Sequence, residues 1–249
     1  MKAAVFDSGI GGLSVVKSLL ARKLFDEIIY YGDLARVPYG SKDPNTIIRY
    51  SLEALEFVNN FDADILIVAC NTASSYALEE LKKTARFPVL GVIEPGVLAL
   101  KNSGIDKNDR VLVIGTKATI NSGSYQRLLL SEGYKNVTAI ATPLLVPLVE
   151  EKIFEGAIVG EVFKYYFGKL DGFSAVIMGC THYPMMSDSL ASWFNSAKLV
   201  HSGDAIVEWI EKQGVLAPIK GETKLRLFAS ENVNHLKSVA SEWLNMARE

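Results

Sequence analysis

Residues 65–74, ILIVACNTAS, run from a short apolar stretch through a cysteine and an Asn-Thr pair into residues able to start a helix. Residues 175–184, AVIMGCTHYP, repeat the device with Thr after the cysteine. A short apolar run bounded by turn signals reads as a buried β-strand, so each stretch places a thiol just past the carboxyl end of a strand. Cys70 and Cys180 are the only two cysteines among the 249 residues. The chain therefore builds one small device twice, about 110 residues apart, and keeps all its thiol chemistry there.

The same punctuation recurs along the chain. AAVFDSG, EIIYYGD, FPVLGVIEPG, RVLVIGTKAT, NVTAIATP and KLRLFAS are further apolar, β-rich runs ending in turn residues. Between them lie stretches with apolar residues at helical spacing: GGLSVVKSLLARKL, NTIIRYSLEALEFVNNF, SSYALEELKKTA and EGAIVGEVFKYYFGKL. Strands alternating with helices predict an α/β protein with mainly parallel sheets. In such sheets ligands sit beyond the carboxyl ends of strands, where Asp7, Asp33, Cys70, Thr116 and Cys180 all fall.

AAVFDSG and RVLVIGT each read as a buried strand ending in a small-residue turn, and the spacing onward repeats. From Asp7 to Cys70 is 63 residues, and from Gly115 to Cys180 is 65. This predicts two pseudo-symmetric α/β lobes, each a mainly parallel sheet flanked by helices, with the active site in the cleft between them. Residues 1–93 form the first lobe in this reading, 94–206 the second, and 207–249 return to complete the first. GVIEPG and HSGDAIVEWI mark the two crossings.

Composition narrows the functional classes. With 49% apolar and 22% charged residues the chain is an ordinary globular protein able to bury a core. A net charge of -2 without any dense run of Lys and Arg gives no field for nucleic acid, so a small molecule is the expected partner. The N-terminal MKAAVFDSG reaches Asp7 before a signal-type apolar segment can form, and no 18 apolar residues run uninterrupted. The expectation is a cytosolic protein with no membrane association, whose two cysteines stay reduced.

The loop DSGIGG, residues 7–12, resembles a phosphate-cradling turn but lacks the third glycine of a dinucleotide fingerprint, since Ser14 stands there. Asp7 would also repel a phosphate; it suits an amino group, or a group that must be held as a base. Metal is not expected, because only Cys180 and His182 lie close together and Cys70 cannot complete a tetrahedral set. A Cys-His hydrolase would use one thiol and leave the other unexplained. Two lobes closing on one ligand would put a thiol on each face of a carbon, one to remove a proton and the other to return one. A thiol's ordinary pKa, about 8.5, lets acid and base forms coexist near neutrality, which suits racemisation or epimerisation. A helix N-terminus after each cysteine would favour the thiolate, and Asp7 or His182 could orient or shuttle a proton.

FDSGIGGLSV, YGD..RVPYG, VACNTAS, GVIEPG, GTKATI, VPLVEE and GCTHYP, in this order along nearly the whole chain, together resemble the cofactor-independent glutamate racemases. The resemblance implies a homodimer of two-lobed chains supplying D-glutamate for bacterial cell-wall peptidoglycan, with no cofactor. It implies that Cys70 and Cys180 are the acid/base thiols and Asp7 and His182 their helpers. Of two adjacent carboxylates, Glu150 matches the position after VPLV better than Glu151. Ser8, Tyr39, Gly40, Asn71, Thr72 and Thr181 resemble substrate-cradling positions, joined by Thr116 and Thr119. Two alternatives remain at this point: an aspartate racemase, and a non-catalytic glutamate-binding regulator on the same frame.

Overall fold

The structure, a computed structural model, describes residues 1–195, 197–213 and 221–245. Residues 214–220 and 246–249, which the sequence reading places in the first lobe, lie outside the described residues.

The chain opens with β1 (Lys2–Asp7), α1 (Leu13–Arg22), β2 (Glu27–Gly32), α2 (Pro44–Val58), β3 (Ile65–Val68), α3 (Asn71–Tyr76), α4 (Leu78–Thr84) and β4 (Val89–Gly91). Helix α5 (Ile93–Asn102) then leads to β5 (Arg110–Gly115), α6 (Lys117–Ser122), α7 (Ser124–Ser131), β6 (Asn136–Ala141), α8 (Leu145–Glu150), α9 (Ala157–Phe167), β7 (Ala175–Gly179), α10 (Ser187–Phe194) and β8 (Lys198–His201). Helix α11 (Ser202–Lys212) leads back to β9 (Lys224–Ala229) and α12 (Val233–Asn245).

These strands form two parallel sheets, one ordered β4-β3-β1-β2-β9 and the other β6-β5-β7-β8. The expected pair of pseudo-symmetric α/β lobes holds, because β3-β1-β2 and β7-β5-β6 have the same connectivity. In each, the first strand is followed by a neighbour on one side and then by a neighbour on the other. That reversal opens a crevice at the strands' carboxyl ends, the usual ligand position in a wound sheet. Asp7 and Cys70 flank the crevice between β1 and β3; Thr116 and Cys180 flank its counterpart between β5 and β7. Strand β8 went unread in the sequence, since its four residues carry one fully buried side chain, Val200, at the sheet edge.

Central strands are apolar throughout because helices cover both sheet faces. Val5 of β1, Ile67 of β3, Val113 of β5 and Ile177 of β7 are all buried. The apolar interior falls into four clusters, one on each face of each sheet. Each fully buried Leu, Ile or Phe contributes about 1.5–3 kcal/mol relative to exposure. Helix α2 starts where Asp43 accepts the Thr46 N–H at 3.1 Å, with Pro44 in the first turn. The GVIEPG segment crosses between sheets as the start of α5, where Pro95 is tolerated because first-turn N–H groups have no intrahelical partner. Helix α11 makes the return and packs against α5 and α1.

Candidate active site

A small cavity of about 10 Å³, room for about one water, lies between the lobes with Cys70 in one wall and Cys180 in another. Ser8, Tyr39, Gly40, Asn71, Thr72, Thr116, Thr181 and His182 line it as well. Three expected residues stand just behind the wall. Asp7 is fully buried and accepts from Thr181 Oγ1 at 3.1 Å and from the Gly9 N–H at 3.0 Å. Glu150, the last residue of α8, accepts at 2.5 Å from His182 Nε2. Thr119 joins a triangle of hydroxyls with Thr72 at 3.1 Å and Thr116 at 3.0 Å, while Thr72 and Thr116 stand 2.9 Å apart. That triangle links α3 of the first lobe to α6 of the second.

The two thiols sit in different local structures. Cys70 caps α3, its sulfur accepting from the Ala73 N–H at 3.5 Å and donating to Ser8 Oγ at 3.4 Å. Cys180 does not lead directly into an α-helix as the sequence reading held. Pro184 follows in a 3₁₀ turn, Tyr183–Met186, and α10 begins only at Ser187. What faces Cys180 instead is His182 Nδ1, 3.8 Å from the sulfur.

The electrostatics differ accordingly. Burial, reinforced by the negative charge of Asp7, pushes the Cys70 thiol up to about 12, against the opposing effect of its contacts with Ser8 and the Ala73 N–H. The helix N-terminus is therefore outweighed, and Cys70 rests as a protonated acid. Burial works against a charged His182, but its contacts with Cys180 and Glu150 outweigh it and raise the imidazole from 6.5 to about 10. His182 is thus a cation at neutral pH. Burial also raises Asp7 above the ordinary carboxyl range, opposed by the charge of His182 and by its hydrogen bonds.

The glycines of DSGIGG serve close packing, Gly11 against the second lobe and Gly12 within the first. A Cβ on Gly11 would stand 2.5 Å from His182 Nδ1 and 2.6 Å from Thr181 Oγ1, and one on Gly12 would stand 2.5 Å from Asp7 Cβ. Gly40 is confined in the same way, its Cβ falling 2.3 Å from Thr116 Cβ. Asp33, which the strand-end rule also pointed to, does not line the cavity. It is buried and accepts from Tyr39 OH at 2.5 Å and Arg36 Nε at 2.6 Å, so it holds a wall residue from behind.

Sequence reasoning missed Val37, Pro38 and Val146, which give the cavity its apolar patches. Val37 and Pro38 precede Tyr39 and Gly40 directly, and that adjacency was the available signal. Among the described residues, no group of three or more His, Cys, Asp or Glu could hold a metal ion, and no helix is long and apolar enough to cross a membrane. A larger cavity of about 1040 Å³ lies between α1, the Tyr183–Met186 turn and α12, but neither thiol reaches it. Chemistry rather than size picks out the smaller one.

Comparison with known proteins places the chain among racemases. The sequence profile of the Asp/Glu/Hydantoin racemase family matches residues 14–210. A glutamate racemase from a Nitratiruptor species is 59% identical over 248 residues, covering 99% of this chain and 98% of the relative. The crystal structure of glutamate racemase from Campylobacter jejuni subsp. jejuni superimposes with a TM-score of 0.97 at 53% identity, covering 100% of both chains. A glutamate racemase from Francisella tularensis subsp. tularensis, in complex with D-glutamate, gives a TM-score of 0.85 at 32% identity over 98% of this chain and 93% of that one.

Proposed function

Since the chain belongs to the Asp/Glu/Hydantoin racemase family, we propose that it interconverts L- and D-glutamate by proton transfer between two thiols and the substrate α-carbon, without a cofactor. The observation that carries this reading is the pair of buried cysteines, one from each sheet, lining one cavity. The names of the similar proteins support glutamate over aspartate.

A cavity of about 10 Å³ is too small for a five-carbon amino acid, so the lobes part to admit substrate and close around it. Closure excludes water, which strengthens every charge interaction at the α-carbon. In the L-to-D direction Cys180, which faces the His182 cation, acts as the base and takes the α-proton from one face. Cys70, held as a thiol, gives its proton to the opposite face. The reaction leaves Cys180 protonated and Cys70 ionised, and the D-to-L direction runs these two transfers in reverse. Asp7 and the His182–Glu150 pair orient and move protons at the two sides. Ser8, Tyr39, Gly40, Asn71, Thr72, Thr116 and Thr181 cradle the substrate, with Thr119 behind them.

We further propose that the protein works in the cytoplasm as a homodimer and supplies D-glutamate for peptidoglycan, and so for cell-wall biogenesis and cell shape. The boundaries 1–93 with 207–249, and 94–206, are proposed as the bodies that move against each other. Incubating the pure protein with L-glutamate or L-aspartate, without added cofactor, and following optical rotation tests the reading. Decay of rotation with glutamate is expected. Inertness toward both would favour a non-catalytic binder, and decay with aspartate alone would reverse the substrate assignment.

A further inference from the structure

Asn71 follows Cys70 directly and lines the cavity, and its side-chain amide is held by two groups outside the cavity wall. Tyr125 on α7 donates its hydroxyl to Asn71 Oδ1 at 2.6 Å, and Asn71 Nδ2 donates to Ser202 Oγ at 3.1 Å. Tyr125 belongs to the other sheet's helical layer, and Ser202 opens the return helix α11, so three separate parts of the fold meet at one amide. The tyrosine has little freedom. Its ring is buried, and a Cβ on Gly179, the residue before Cys180, would lie 3.1 Å from ring atom Cε2. On another side a Cβ on Gly96 of α5 would lie 3.3 Å from the hydroxyl oxygen. The hydroxyl thus has a place fixed by the strand that carries one thiol, and it grips the side chain next to the other.

An amide has one acceptor oxygen and two N–H donors. With the oxygen capped by Tyr125 and one N–H given to Ser202, the donor that remains is the one Asn71 can offer to a substrate oxygen. We propose that Tyr125 is a positioning residue for glutamate: its hydroxyl fixes the Asn71 amide so that a donor, not an acceptor, meets the substrate when the lobes close. The proposal rests on the racemase reading. Without the hydroxyl only Ser202 holds the amide, and since its Oγ can accept from Nδ2 or donate to Oδ1, both orientations of the amide become available.

Tyr125→Phe keeps the ring between Gly96 and Gly179 and removes only the hydroxyl. Loss of one buried hydrogen bond corresponds to a rise of about tenfold in KM for glutamate, with kcat within about twofold of the parent because the contact serves binding. The decisive readout is a double-mutant cycle. In an Asn71→Ala background the same substitution should change KM by less than about twofold, since the group it positions is gone. Ser202→Ala, which removes the amide's other partner, goes through the same cycle and keeps the test decisive if the phenylalanine variant does not fold. A parent-like KM, a loss confined to kcat, or losses that multiply in the Asn71→Ala background would overturn the proposal. Failure of the parent itself to racemise glutamate would instead reject the racemase reading, and so is distinguishable.

Discussion

His182→Asn should lower stability by an amount that depends on pH in a defined sense. The folded protein holds His182 protonated up to about 10, against 6.5 for an ordinary imidazole, so protonation favours the folded state. That contribution is fully present below about pH 6.5, shrinks as pH rises, and is lost above about pH 10. At about 1.36 kcal/mol per tenfold change in proton affinity, the separation between 6.5 and about 10 corresponds to about 5 kcal/mol. Glu150 keeps 26% of its side chain exposed, and screening there makes this figure an upper end. Asparagine does not titrate, so the stability difference between parent and variant reports the imidazole together with its coupling to Glu150 and Cys180, while titrations of groups away from it cancel. Urea unfolding of both proteins at about pH 6 and about pH 9.5 measures it. The difference should shrink by several kcal/mol at the higher pH, and packing losses would remain at both. A difference independent of pH would mean that folding leaves the His182 imidazole near its ordinary value, and would remove the cation held beside Cys180 at neutral pH from the account.

Asp7→Asn should lower racemisation by about 10 to 10⁴, the range for a positioned acid/base group. Parent-like turnover would return Asp7 to holding Gly9 and Thr181. Gly11→Ala should cost activity out of proportion to its size, because the added methyl meets His182 and Thr181 at 2.5 and 2.6 Å across the lobe contact. Unchanged kcat and thermal midpoint would show that the lobes do not need this approach.

The strands that place the site were legible because each has a continuous apolar run that stops at a turn residue. Val5 and Phe6 run into Asp7, Ile67 and Val68 into Cys70, and Ile177 and Met178 into Gly179 and Cys180. Helix α3 begins three residues before the helical pattern suggested, at Asn71, because a cysteine sulfur does the capping and cysteine is not a residue read as a cap. The same pattern, SSYALEELKKTA, breaks at Ala77 into two helices, a division without a Gly or Pro to announce it. The protonation of the two sides was not legible either. It depends on Asp7 lying beside Cys70, and on Glu150 reaching His182 across 32 residues. Tyr125 and Ser202 carry no motif, and only the folded chain brings them to Asn71.

The central claim is that the two thiols serve opposite faces of one carbon. Glutamate analogues of each hand that eliminate a β-leaving group need only one proton abstraction, so a single cysteine suffices for each. Measuring elimination from both hands by Cys70→Ser and Cys180→Ser is therefore the most direct test. A hydroxyl is a far poorer base than a thiol near neutrality, so both variants should lose racemisation almost completely. Cys70→Ser should still process the L-analogue and lose the D-analogue, and Cys180→Ser should show the reverse. Loss of the same hand by both variants, or racemisation of glutamate at the parent rate by either, would contradict the two-thiol mechanism.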